Sequence, residues 1–273
     1  MTQPSPSAAT PAPAEYPAPA DHYGQIESGT AAIAALVAGG DLSLPIPACP
    51  EWTLRELAIH VGRVHRWATQ IAATRSPRYL EFGSVPDGRF PGEAAAQAGW
   101  LTAGARRAVA AIGEAGQDQV WAFGTMVPAA FWARRMGHET MVHAADARDA
   151  AGQRSDLPAA LAADAIDEWL TVLMPLVVGP PDPREQALPP GAALHVQPAG
   201  AGGWAVRREP AGVTVTRTAG PAAAGPGGAD VVLAGPAAAL LLVLMGRVPA
   251  RDPAVTVSGD RALLDRWLGA AQF

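Results

Sequence analysis

The stretch RRMGHETMVHAADAR, Arg134 to Arg148, puts two histidines, two acids and three arginines into fifteen residues of an otherwise alanine-rich chain. Glu139 and His143 stand four apart. On a helix their side chains share one face, with Cβ atoms roughly 5–6 Å apart. A divalent cation can bridge such a pair, because Zn–N and Zn–O bonds are each about 2 Å. His138 stands five residues from His143 and points elsewhere, so HETMVH is not the HExxH protease pattern. A third ligand must come from another helix. His60, in LRELAIHVGRVHRW, continues the Leu57, Val61, Val64 stripe and should face the same interior. Three ligands leave a coordination position open, which marks a catalytic rather than a structural metal. Spacing alone leaves the plainer readings standing: Glu139 and His143 as a hydrogen-bonded helix pair, His60 as a satisfied core histidine.

The remaining polar residues give weaker signals. Asp146 stands three beyond His143 and either orients it as a hydrogen-bond acceptor or forms a salt bridge. Arg134 and Arg135 fit an acidic substrate or, more simply, a solvated helix flank. Cys49, in a proline-rich loop, suits a small buried filler better than a nucleophile. Trp52, just before Thr53, reads as a hydrophobic staple rather than a stacking platform. His65 is expected to be partly exposed. His22 and His138 have no assigned partner, and His195 sits in a strand with either face open to it.

Helices must position these groups. The first is expected over Asp21 to Gly39. The prolines of LSLPIPACPEW forbid a helix there, and TLRE then gives a capping box, Thr53 with Glu56, opening a helix to Ala73. A third is expected from Glu93 to Ala115. VWAFGTMVP reads as a short extended passage. A fourth follows Pro128, taken as its first-turn residue, to Ala150, and a fifth runs from about Pro158 to Val178. Beyond GPPDPREQALPPG the pattern changes to short β-branched runs, ALHVQP, GWAVRRE, GVTVTRT and ADVVLAG, separated by turns. A helix from Pro236 to Arg247, a strand VTVSGD and the helix ALLDRWLG close the chain. The expected organisation is a disordered Pro/Ala tail (1–20), a helical bundle (21–179), a linker (180–191) and a smaller α+β domain (192–273), with no internal repeat.

Composition narrows the partners. The net charge is −5 over 273 residues, with no basic run, which argues against nucleic acid. Every basic residue is arginine, a bias of the whole chain, so an arginine here says little about anion binding. One cysteine excludes an internal disulfide framework and suits a reducing compartment. The N-terminal stretch lacks the apolar core of a signal peptide. The longest apolar run is broken by Gly235 and Pro236 and is too short to span a bilayer. The expectation is a cytoplasmic protein acting on small molecules, without nucleic acid or membrane partners.

CPEWTLRELAIHVGRVHRWA resembles the opening motif of the mycothiol-dependent maleylpyruvate isomerase family: a Trp-Thr helix start followed by a helical His. HETMVHAADA is similar to its second motif, a His-Glu pair followed by His and then Asp. ALHVQPAGAGGWAV, GPAAALLLVLMGR and SGDRALLDRWL resemble its C-terminal domain, and the likeness runs from about residue 21 to 273. The resemblance implies an α+β protein: a DinB-like four-helix bundle followed by a domain similar to sterol-carrier proteins. It implies a divalent metal, commonly zinc, on His60, Glu139 and His143, the three residues that spacing also selects. By analogy, Arg247 would help to hold an acidic substrate.

The implied function is a mycothiol-using isomerase or S-transferase. A free thiol, with a pKa near 8.5, is mostly protonated at neutral pH, and metal coordination supplies thiolate. That thiolate would add to an electrophilic small molecule, a cis enedioate such as maleylpyruvate or another electrophile. The same metal could instead activate water, making a hydrolase, or serve a non-catalytic, metal-stabilised binding or regulatory module.

Overall fold

The computed structural model describes residues 19–177, 187–199, 202–219, 224–225 and 228–271. Of the expected tail, 1–18 lie outside these residues, and of the expected linker, 180–186. The N-terminal half is a four-helix bundle of α1 (Pro19–Ala38), α2 (Leu54–Ala73), α3 (Ala94–Ala115) and α4 (Ala130–Ala150). α2 begins behind Thr53, whose backbone N–H donates to the Glu56 carboxylate at 3.0 Å. That bond and one from the Thr53 hydroxyl hold Glu56 below the usual carboxylate range. Leu54, Leu57, Val61, Val64, Ala68 and Ile71 are all buried along one face of α2. Helices α2 and α3 approach closely at Gly62, where an added Cβ would lie 1.9 Å from the Trp100 ring. Any side chain there would force the helices apart, which makes this glycine a packing requirement.

VWAFGTMVP forms a hairpin rather than one extended passage. β1 (Gln119–Ala122) pairs antiparallel with β2 (Thr125–Pro128) around Phe123 and Gly124, both at positive φ. Pro128 therefore ends a strand, opposite Gln119, and α4 starts two residues later.

The next helix departs from expectation twice. α5 (Ala159–Glu168) passes through a π turn, Trp169–Leu173, into α6 (Met174–Val177). Pro175 lacks the N–H that a regular helix would direct at Thr171, and the helix widens just before it. Its apolar residues Ala162, Ile166, Trp169 and Leu170 also share one core with the C-terminal sheet, not with the bundle core. The segment was expected within the bundle, but a helix's period does not reveal which neighbour its apolar stripe will meet.

The C-terminal sheet has the order β5-β4-β3-β6-β7. β3 (Ala193–Pro198), β4 (Gly203–Glu209), β5 (Gly212–Thr218) and β6 (Val231–Gly235) match the four expected strands, and β7 is Thr256–Gly259. β3 and β6 are parallel, and the other pairs are antiparallel. All six residues of β3 are buried, as a central strand covered on both faces requires. α7 (Ala237–Leu244) and α8 (Arg261–Ala271) contribute Leu240, Leu241, Leu244, Leu264 and Trp267 to the same core. The protein is thus α+β, a helical bundle followed by a smaller mixed domain. No helix among the described residues is long and apolar enough to cross a membrane.

Candidate active site

His60 comes from α2, and Glu139 and His143 from α4. Their ligand atoms converge, all within 4.8 Å of one another. His60 Nε2 lies 2.8 Å and His143 Nε2 3.3 Å from the same Glu139 oxygen, Oε1. The i,i+4 spacing fixes the α4 pair; only the packing of α2 against α4 brings in His60.

Each member is held from behind. His143 Nδ1 lies 3.0 Å from Asp146 Oδ2, so with Nδ1–H donating, Nε2 is directed at Glu139. Burial would lower the pKa of His143, but its bonds to Asp146 and Glu139 overcome this and raise it to about 9. Burial would likewise raise Glu139, yet Arg135 and the two histidines hold it well below the usual carboxylate range. Arg135 donates to Glu139 Oε2 through Nη2 and to Glu168 Oε2 through Nη1 at 2.7 Å. The anionic field that keeps a proton on His143 would equally favour a divalent cation in that proton's place.

The C-terminal domain reaches into this arrangement. α7 ends in a Schellman motif: Gly246 has φ of 70°, its N–H donates to the Val243 carbonyl, and the Arg247 N–H donates to that of Leu242. The motif turns Arg247 toward the bundle. Its Nε and Nη2 donate to the two oxygens of Asp146 at 3.1 and 2.9 Å. Against burial, which would raise it, His143 and Arg247 keep Asp146 below its ordinary pKa. Arg247, expected to face a substrate, is thus bound to the carboxylate that orients His143.

A cavity of about 720 Å³ opens over the three residues, between the bundle and α7. Trp52 covers their outer side, its ring 4.9 Å from His60 and 5.7 Å from His143 between centroids. It is therefore a platform on the imidazoles as well as a packing residue of the bundle. Cys49 lines the cavity too; burial, with Asp146 next, pushes its thiol pKa up. Trp169, from the π turn, forms part of the opposite wall.

Several residues lie where spacing did not put them. Arg134 is buried and bonds Asp164 and Asp167, and the half-buried Arg135 bonds Glu139 and Glu168, so neither solvates a flank. His65, expected near the surface, is fully buried, with Nε2 2.8 Å from the Thr140 hydroxyl. His22 and His138 find partners. Both Nε2 atoms approach Asp164 Oδ2, at 2.8 and 3.0 Å, and His138 Nδ1 lies 2.8 Å from Glu168. His195 Nε2 lies 2.9 Å from the Thr218 hydroxyl. Glu168 went unnoticed in the sequence, although DAIDEW sets three acids in an apolar helix that must then meet cations.

No curated protein sequence matches this chain. Among solved structures, a mycothiol-dependent maleylpyruvate isomerase superimposes with a TM-score of 0.57 at 19% identity, over 88% of this chain and 93% of that one. A histidine-to-alanine mutant of such an isomerase gives 0.56 at 18% identity, over the same shares. At such identities the likeness shows a common fold. The family model described as the mycothiol maleylpyruvate isomerase N-terminal domain matches residues 23–148, and the corresponding C-terminal domain model matches 160–266. With both halves matched in order, this chain belongs to the mycothiol maleylpyruvate isomerase family.

Proposed function

We propose that this chain is a metal-dependent, mycothiol-using isomerase or S-transferase of the cytoplasm, with His60, Glu139 and His143 as the metal ligands. The observation that carries the reading is the convergence of two imidazole Nε2 atoms on one carboxylate oxygen at the floor of an interdomain cavity. The donor set fits a divalent cation such as zinc: two nitrogens and one oxygen, with His143 Nδ1 held by a carboxylate as metal-bound histidines commonly are. Bound there, the cation would supply the Lewis acidity that turns a thiol into thiolate near neutral pH.

The chain's own residues do the rest. Arg135 holds Oε2 of Glu139 and leaves Oε1 to face the histidines. Asp146 fixes the His143 ring, and Arg247 fixes Asp146, so the C-terminal domain completes the site. Trp52 packs against both imidazoles. Arg247 therefore acts by positioning.

Metal analysis and mycothiol titration test the reading together. The purified protein is expected to carry a divalent metal and to bind mycothiol only when metal-loaded. His60→Ala, Glu139→Ala and His143→Ala are each expected to lose metal while keeping the helical signal. Metal content indifferent to all three would refute the ligand assignment, and metal-loaded protein without affinity for the thiol would refute the cosubstrate. Ester cleavage without added thiol would replace the thiol by water.

A further inference from the structure

Building on that reading, we infer that the loop Cys49–Trp52 seats the sugars of mycothiol, with Glu51 and Trp52 as the residues that recognise them. Beyond its thiol, mycothiol is an acylated cysteine joined through an amide to glucosamine and then inositol. The glucosamine nitrogen lies in that amide, so this part is uncharged and rich in hydroxyls. Hydrogen bonds, not ion pairs, must recognise it.

Most polar side chains lining the cavity are already engaged. His60, Glu139 and His143 belong to the proposed cation. Arg135 bonds Glu139 and Glu168, His138 faces Glu168, and Arg247 bonds both oxygens of Asp146. The wall of Val142, Leu241, Leu244 and Met245 offers hydrocarbon and one thioether. Two strong hydrogen-bonding groups of the lining side chains remain, the Glu51 carboxylate and Trp52 Nε1, and neither has a partner among the described residues. They are neighbours in the chain, Glu51 exposed and Trp52 half-buried. The Cys49 thiol beside them bonds only weakly.

This pair has the chemistry that a polyol requires. A carboxylate accepts from two neighbouring hydroxyls at once, and the indole N–H donates to a hydroxyl or an amide carbonyl. Position agrees with chemistry. The Trp52 ring lies 4.9 Å from that of His60. The spacer between sulfur and sugar is a single cysteine, so a thiol at the cation brings the sugar within one residue's reach of the imidazoles that Trp52 covers. The loop is also shaped in advance. The Ile46 N–H donates to the Trp52 carbonyl at 2.9 Å, the Cys49 N–H to that of Ile46 at 3.0 Å, and the Trp52 N–H to that of Cys49 at 2.7 Å. Pro47 and Pro50 fix φ at two of its positions. Little ordering cost is then left for binding. Charge separates the two ligands as well. An anionic electrophile is drawn to the cation and repelled by Glu51, whereas the uncharged sugars are indifferent to both.

The test compares mycothiol with N-acetylcysteine methylamide, the same acylated cysteine without sugars. Calorimetric affinities are measured on zinc-loaded protein, native, Glu51→Ala and Trp52→Phe, with metal content checked in each. The native protein is expected to bind mycothiol roughly tenfold or more tightly than the methylamide, and Glu51→Ala to remove most of that advantage, as loss of a charged hydrogen-bond partner does. Trp52→Phe should remove a smaller part, and neither variant should weaken the methylamide. At saturating mycothiol, the KM for maleate and for its neutral dimethyl ester should rise in neither variant. Equal affinity of the native protein for the two thiols, or equal weakening of both by Glu51→Ala, overturns the inference and leaves thiol use standing. A KM raised for both electrophiles also overturns it, by making the loop part of their seat. Loaded protein that binds neither thiol overturns the mycothiol reading and this inference with it.

Discussion

Two clusters in this protein are built from the same parts. In one, His60 and His143 converge on Glu139 Oε1; in the other, His22 and His138 converge on Asp164 Oδ2. In each, a second carboxylate holds one imidazole from behind: Asp146 behind His143, Glu168 behind His138. The difference lies in the carboxylate oxygen at the centre. Glu139 Oε1 faces the two histidines, with Arg135 kept on the other oxygen. Asp164 Oδ2 also accepts Arg134 Nε at 3.1 Å, while Oδ1 accepts Nη2 at 2.7 Å. The cavity is lined by all three residues of the first cluster, but by His138 alone of the second, and His22 and Asp164 do not line it. Residue types and mutual distances therefore do not separate a ligand set from an ion-pair network. The two clusters differ instead in where the nearest arginine binds and in whether the cavity reaches the central carboxylate, and in the proposed reading that difference marks the ligand set.

That contrast can be broken most directly at the central carboxylates. Glu139→Ala should abolish metal binding and with it turnover, read by elemental analysis and initial rates, whereas His22→Ala should retain the metal. Metal lost on His22→Ala and kept on Glu139→Ala would reverse the assignment of the two clusters. Asp164→Asn should leave metal content unchanged and lower stability in denaturant unfolding, by less than the about 3–5 kcal/mol of a fully broken buried pair, because Arg134 keeps Asp167.

Asp146→Asn and Arg247→Ala act on residues that hold His143, a proposed ligand, from behind. Each should weaken metal affinity about 10- to 100-fold, as loss of a partner behind a ligand commonly does. Arg247→Ala should also raise the KM for neutral and dianionic probes alike, because its role is to position Asp146. A loss confined to the dianion would make Arg247 a substrate-binding residue instead.

His65 is a buried imidazole in neither cluster and serves as the control. Burial lowers its pKa from 6.5 to about 3. The unfolded chain takes up a proton at this residue as pH falls through 6.5, and the folded chain does not until about 3. Its contribution to stability is therefore complete above pH 6.5 and lost progressively below it. Between pH 7 and 5 that amounts to at most about 2 kcal/mol. His65→Gln should remove this part of the acid sensitivity, seen as a smaller fall in Tm between those pH values, and should retain the metal.

Much of the fold was legible because its signals are local. The Thr53–Glu56 capping box, the three-and-four spacing of Leu54, Leu57, Val61 and Val64, and the alternation in GWAVRRE and GVTVTRT each lie within a few residues. The elements fall within a residue or two of expectation there. α5 was misplaced because its apolar stripe fits either the bundle or the sheet. Its π turn is not legible because a proline two residues from the described helix end also reads as an ordinary terminus. Trp52 was read as a staple, since a residue before a helix cap gives no sign of the imidazoles it will cover.

Helical periodicity by itself determined that Glu139 and His143 share a face and that His60 points into the bundle, because 3.6 residues per turn fixes direction along one element. Tertiary packing alone decided that α2 meets α4 at those residues, that Arg247 crosses from the second domain to Asp146, and that Arg134 occupies the central carboxylate of one histidine cluster while the cavity reaches that of the other. Those outcomes depend on pairings between side chains as many as 101 positions apart, as Asp146 and Arg247 are, and no local pattern of charge or hydropathy encodes which partner a buried carboxylate will find.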